Sequence, residues 1–200
     1  VCLITIISEN KESYMFHTPT IEWTEMQAEA MSIPLVKIKT QGKKEQELNE
    51  LKKAIKIAKK KYKIEGIVTG TVASTYQATR IQKICNELNL HCFNPLWQKD
   101  QEELLNEIIE HKFEVIITKV AAEGLNKSWL GKKITKKTIN ELKKLNKKYK
   151  ISMAFEGGEG ETFVLDSPLH KKRISIVKAR QQSIGYTGTL IIEKIKLIKK

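Results

Sequence analysis

Cysteine is scarce in this 200-residue chain: Cys2, Cys85 and Cys92 are odd in number and form no C-x-x-C. That count argues against a disulfide framework and against a zinc clip, and it suits a cytoplasmic protein. His17, His91, His111 and His170 are scattered without metal-ligand spacing, so no metal site is expected. No apolar run approaches the roughly 20 residues that a membrane helix needs. The opening VCLITIISEN is too short for a span and lacks the basic region and cleavage site of a signal peptide, so no membrane partner is expected. Neither G-x-x-x-x-G-K-[ST] nor G-x-G-x-x-G occurs, and there is no repeat and no low-complexity linker.

Positive charge is abundant. The chain has 36 Lys+Arg against 23 Asp+Glu, a net +13. Such an excess is either a footprint for RNA or an acidic partner, or a set of solvated helix faces. Most of it is lysine at helical spacing in residues 52–63 and 132–150, which favours solvated faces. Charge alone names no partner.

The order of patterns predicts an α/β fold. Residues 1–7 are a β-branched, nearly all-apolar run, the mark of a strand covered on both faces. Thr24-x-x-Gln27 reads as a capping box opening a helix through Met31. Residues 35–39 alternate as a strand, and residues 46–62 carry Leu48, Leu51, Ile55 and Ala58 at helical spacing. A brief buried strand is expected at 66–70, a helix at 76–88, a strand at 91–94, a helix opened by Asp100-x-x-Glu103, and a strand at 114–120. This alternation predicts a parallel sheet flanked by helices. After a helix at 135–149 the pattern turns strand-rich, at 162–165, 173–177 and 190–197. The expected division is an α/β domain over 1–97 and a strand-rich C-terminal α+β domain over 98–200.

Ligands of open α/β sheets sit beyond the carboxyl ends of the strands. Three loops qualify: 8–20, 70–76 and the segment after Val120. Ser8 ends the first strand. Gly70 lets the backbone approach a ligand, Ser74 is placed to cap a helix, and Gln77 and Arg80 share one helical face. Arg80 suits a phosphate by its fork of donors; an exposed arginine on an ordinary capped helix is the bland alternative. The segment EGGEGETFVLDSP is the most unusual. Its glycines Gly157 and Gly158 permit a tight turn that would present Glu156, Glu159 and Glu161 toward one point, ahead of a strand ending in Asp166. A solvated surface turn is the competing reading.

Five stretches in order, SENKESYMFH (8–17), GTVASTYQATR (70–80), NPLWQKDQEELL (94–105), AAEGLNKSWLGK (121–132) and EGGEGETFVLDSPLHKKRI (156–174), resemble the diphthine–ammonia ligase (diphthamide synthetase) family of N-type PP-loop ATP pyrophosphatases. The similarity runs over essentially the whole chain. It implies a PP-loop, Rossmann-like nucleotide domain and an ATP-dependent amidation. The diphthine carboxylate of translation elongation factor 2 would be adenylated with release of pyrophosphate, and ammonia would then displace AMP. ATP and Mg²⁺ are the implied cofactors, elongation factor 2 and ammonium the implied partners. Nucleic acid is not expected as a direct substrate, and self-association into a homo-oligomer stays open.

The resemblance also assigns residues. Ser8, Gly70, Ser74, Gln77 and Arg80 fall to ATP, with adenine near Ser8. Ser13, Tyr14, His17, Tyr76, Trp97, Trp129, Gly157, Gly158 and Asp166 fall to the substrate, the tryptophans as walls for the quaternary ammonium of diphthine. Glu156, Glu159 and Glu161 become the catalytic cluster. The Ser-Gly-Gly-Lys-Asp-Ser phosphate loop with which such enzymes begin is not in these 200 residues, so about one βα unit is expected upstream, a degenerate, inactive relative being the second explanation. Gly160 stands where an aromatic is usual and His170 where a Phe is usual. A non-catalytic nucleotide- or RNA-binding module is the competing function; another PP-loop ATPase acting on tRNA is a third, with no catalytic cysteine pair to support a thiolase.

Overall fold

The computed structural model describes residues 1–10, 15–16 and 20–200. It divides into two compact units: Val1–Glu29 with Ile33–Gln98, and Lys99–Lys200 with Ala30–Ser32.

In the first unit, the β-branched opening forms β1 (Leu3–Ser8), which pairs in parallel with β2 (Leu35–Thr40) from Leu3↔Leu35 to Ser8↔Thr40. Helix α1 (Thr24–Met31) follows a 3₁₀ turn at Ile21–Trp23. The predicted capping box is not formed. Thr24 is already helical (φ −63°, ψ −26°), its hydroxyl donating back to the Ile21 carbonyl at 2.8 Å, so it is not the non-helical N-cap residue that the box requires. The preceding 3₁₀ turn supplies the helix start, a local geometry that the motif does not encode.

Helix α2 (Glu47–Tyr62) buries Leu51, Ala54, Ile55 and Ala58 on one stripe. Glu47 and Glu50 lie in the first turn and Lys59, Lys60 and Lys61 in the last, complementing the helix dipole, and Lys63 ends it in the left-handed region (φ 53°). A second parallel pair, β3 (Gly66–Val68) with β4 (His91–Phe93), flanks α3 (Thr75–Glu87). Ile6, Val36, Leu51, Ile55, Ile84 and Leu90 meet in a common core. Ile55 is 1% exposed, so truncation to alanine would cost about 2–5 kcal/mol. Strand β3 is not the buried strand predicted: Val68 is 70% exposed. Three apolar residues give no periodicity from which to read a buried face.

The second unit is a four-stranded antiparallel sheet of order β6-β5-β8-β7 with two helices: α4 (Gln101–Glu110), β5 (Glu114–Ala121), α5 (Lys136–Tyr149), β6 (Gly160–Asp166), β7 (Lys172–Ile184) and β8 (Thr187–Lys199). The Asp100 carboxylate caps α4 as predicted, accepting the Glu103 amide at 2.9 Å. Strand β5 departs from the expected alternation. It runs antiparallel to β6 and to β8, so the parallel pattern ends before it. An all-apolar run such as Val115–Ile116–Ile117 is buried on both faces in either kind of sheet, which is why sequence did not separate them. The β7–β8 hairpin outruns its hydrophobic signal. Its outer part, including Arg180 and Gln181, is exposed and held by strand pairing.

Candidate functional site

The carboxyl ends of β1 and β2 form a tight polar corner. Ser8 is buried, and its hydroxyl donates to the Asn10 carbonyl at 3.1 Å while accepting the Asn10 amide at 3.2 Å. The Asn10 side chain donates to the Gly42 carbonyl at 3.0 Å, and the Gly42 amide donates to the Thr40 hydroxyl at 3.1 Å. A Cβ on Gly42 would lie 2.2 Å from Ser8 Oγ, and its φ of +70° favours glycine as well. Sequence reasoning named Ser8 and missed Asn10, Thr40 and Gly42. The signal was the glycine two residues past a strand end.

Beyond β3, Thr69, Thr71 and Asn94 make a second polar cluster, with Thr69 Oγ1 at 2.9 Å from Thr71 Oγ1 and at 2.5 Å from Asn94 Oδ1. Gly70 sits between the threonines, and a Cβ there would meet nothing within 4 Å. The space above its backbone is open, as a ligand-approach role requires. Ser74 caps α3, accepting the Gln77 amide at 3.3 Å, and the Gln77 side chain donates to the Met15 carbonyl at 3.3 Å.

Arg80 lies one turn further, stacked on Tyr76 with its guanidinium carbon 3.5 Å from the ring centroid. Its Nε donates to Glu45 Oε1 at 2.8 Å, its second guanidinium nitrogen joins the same carboxylate, and Tyr76 donates to it at 3.0 Å. The hydrogen bond from Arg80, then that from Tyr76, holds the Glu45 carboxyl below its usual range. Burial first, then Glu45, pushes the Tyr76 phenol up. The fork that suits a phosphate therefore grips a carboxylate here. Trp97 lines an open groove of about 760 Å³ with Asn94, Thr79 and Gln82. Ser13, Tyr14 and His17 lie outside the described residues.

In the second unit, the acidic loop is a self-bonded turn in which the three acids have three different tasks. Glu159 folds inward: Oε1 accepts the Ser152 amide at 2.7 Å and Oε2 the Gly157 amide at 2.9 Å. Glu161 pairs with Lys119 at 3.2 Å across the β5–β6 ladder. Glu156 is exposed, with its amide held by Ser152 Oγ at 2.9 Å. The expectation that glycine flexibility would present all three to one point is thus replaced by a turn that Glu159 itself ties together. Of the two glycines expected to turn the chain, Gly158 has φ +85°; the other left-handed residue is Phe155 (φ 62°). Gln101, unremarked in the sequence, anchors the loop entrance. Its Oε1 accepts from Met153 N at 2.7 Å, Ser152 Oγ at 3.1 Å and Ala154 N at 3.2 Å.

Two substrate-side assignments meet different surroundings. Trp129 is 6% exposed, and the Lys132 ammonium stands 4.2 Å from its ring centroid. It is a core residue whose cation site is filled by its own chain, so it is not a wall of an open pocket. Asp166 ends β6, accepting the Ser167 amide at 2.8 Å and pairing with Lys200 at 2.7 Å. Beside it, His170 is 5% exposed, with Nδ1 at 2.6 Å from Ser167 Oγ and Nε2 buried without a hydrogen-bond partner.

Among the described residues no group of three or more His, Cys, Asp or Glu side chains is arranged to hold a metal ion, so no step is assigned to Mg²⁺. No helix among them is long and apolar enough to cross a membrane.

Residues 1–92 match the profile of the diphthamide synthase N-terminal domain, and residues 100–198 match that of its C-terminal domain. A Rattus norvegicus protein named diphthine–ammonia ligase is 38% identical over 184 residues, covering 84% of this chain and 67% of its own. The Homo sapiens protein of that name is 36% identical with the same coverage. The Saccharomyces cerevisiae one is 32% identical over 205 residues, 86% of this chain and 30% of its own. With both domains matched in order and relatives aligned along most of its length, the chain belongs to the diphthamide synthase family.

Proposed function

We propose that the protein is an ATP-dependent ligase that amidates the diphthine carboxylate of translation elongation factor 2, the last step in making diphthamide, in the cytoplasm. The observation that carries this reading is alignment along most of the chain to proteins named diphthine–ammonia ligase. The chemistry needs activation, because a carboxylate has no leaving group for ammonia to displace. One carboxylate oxygen attacks the α-phosphorus of ATP and pyrophosphate leaves. Ammonia then attacks the acyl carbon, AMP departs with the bridging oxygen, and one proton is released.

The first unit supplies the nucleotide side in this reading. Arg80 exchanges the Glu45 carboxylate for a phosphate, which the same fork accommodates. Gly70 offers open backbone, Ser8 lies toward the adenine, and Ser74 and Gln77 fix the start of α3. Trp97 offers aromatic surface to substrate, as does Tyr76 once Arg80 leaves its ring for a phosphate, and the resemblance assigns Ser13, Tyr14 and His17 to the same substrate. In the second unit, Glu156 carries the charge that meets the trimethylammonium of diphthine or an incoming ammonium ion, while Gly157, Gly158 and Glu159 shape its loop. Glu161 and Asp166 set the two ends of β6.

The test is to incubate the full-length protein, including the phosphate-loop segment expected ahead of residue 1, with diphthine-bearing elongation factor 2, ATP and ammonium, following the protein amide by mass and the nucleotide products. Amide, AMP and pyrophosphate in equal amounts are expected. Amide formed with ADP and phosphate would overturn the adenylate, and no amide at all would overturn the ligase.

A further inference from the structure

We infer that Gln101 is a positioning residue for the acidic loop, acting on Glu156 through Ser152; this rests on the amide-ligase reading. Gln101 opens α4, 55 positions before Glu156 in the numbering. Its Oε1 takes three donors, the Met153 and Ala154 amides and the Ser152 hydroxyl. Two of those donors are backbone N–H groups, which fixes the oxygen, not the nitrogen, as the atom facing the loop.

The Ser152 hydroxyl has one hydrogen and gives it to Gln101, so its lone pairs are oriented toward the Glu156 amide that it accepts at 2.9 Å. The far side of the turn is tied separately. Glu159 closes the loop on itself, and its carbonyl accepts the Ala121 amide of β5 at 2.7 Å. The loop thus hangs between a strand and the first turn of a helix, and Gln101 is the helix-side fastening. Removing it leaves three donors without their acceptor and lets the Ser152 hydroxyl rotate away from Glu156. The helix and the sheet keep their own bonds, so the loss falls on where Glu156 stands.

The test compares Gln101→Ala and Gln101→Glu with the unaltered protein. Glutamate keeps acceptor oxygens and a side chain of equal length, at a helix start that favours negative charge. Gln101→Ala is expected to lose backbone hydrogen-exchange protection at Met153, Ala154 and Glu156 and to lower kcat for amide formation about tenfold, the scale of one neutral hydrogen bond. KM for ATP should be unchanged, and Gln101→Glu should restore protection and most of the rate. In the double variant with Glu156→Gln the two losses should fail to add, since one acts through the other. Additive losses, or an active protein in which Gln101→Ala is equally fast, would overturn the assignment. A protein that makes no amide before any substitution overturns the ligase reading instead, and the exchange data then still decide whether Gln101 holds the loop.

Discussion

Ser152 donates its amide hydrogen to Glu159 Oε1 at 2.7 Å, and the other oxygen of that carboxylate takes Gly157 at 2.9 Å. An acid that sequence casts as reactive is therefore a structural acceptor. Glu159→Ala should cost about 1–3 kcal/mol by leaving two amides without a carboxylate, lowering the melting temperature by several degrees. Glu159→Gln should fall between, since an amide offers one oxygen where the carboxylate offers two. Glu156→Gln should leave melting unchanged and reduce amide formation. Equal melting curves for Glu159→Ala and the parent would show that the turn closes without it.

Arg80 and Glu45 make a competition that kinetics would detect. Arg80→Lys loses the stacked, forked geometry and should raise KM for ATP about tenfold or more. Glu45→Gln removes the competing charge and should lower it. An ATP affinity indifferent to both changes would place the nucleotide elsewhere.

Glu114 is poised for a pH test. Burial pushes its carboxyl up, but the ion pairs with Lys133 and with Arg173, the latter at 2.5 Å, outweigh that and leave it below the usual range. A depressed acid contributes stability above its unfolded value near 4.5 and loses it as pH falls through the folded value. Glu114→Gln should be less stable than the parent at pH 7 by roughly 1.5–3 kcal/mol. The gap should close below pH 4.5; a gap constant with pH would trace it to packing.

His170 has a sensitivity of the same sign, set at higher pH. Burial holds its imidazole below the ordinary 6.5, so the unfolded chain binds the proton more readily. Stability is full above pH 6.5 and falls as pH drops from there toward the folded value. His170→Phe should flatten the stability profile between pH 7 and pH 5, as read by urea unfolding. It also removes a buried Nε2 that has no partner. A slope unchanged by the substitution would assign the acid sensitivity to other groups.

What sequence could and could not give is clear from particular elements. Helix α2 was legible because Leu51, Ile55 and Ala58 repeat at its period, and α4 because Asp100 caps it. The parallel pairs β1–β2 and β3–β4 followed from alternation with helices. The direction of β5 was not legible, since a doubly buried run carries no sign of its neighbours' orientation. Within the site, residue types pointed to Arg80 and to the acidic loop. They did not reveal Glu45 in the guanidinium fork, the inward turn of Glu159 or the grip of Gln101, because those depend on partners 35, 7 and 51–53 positions away.

Gly160 is walled in on two sides. A Cβ on Gly160 would lie 2.8 Å from the Lys119 carbonyl and 3.1 Å from the Phe155 ring. Phe155 holds a left-handed backbone (φ 62°) that a bulky residue adopts only at a cost. The aromatic that the resemblance leads one to expect at 160 is missing, and a ring reached from 155 crowds that place. The Lys119 backbone and the Phe155 ring occupy the volume that a side chain at 160 would need. An aromatic at 160 beside Phe155 has no room, and Phe155→Ala alone still leaves the Lys119 carbonyl in its way. Grafting this loop onto a relative therefore requires moving both residues together.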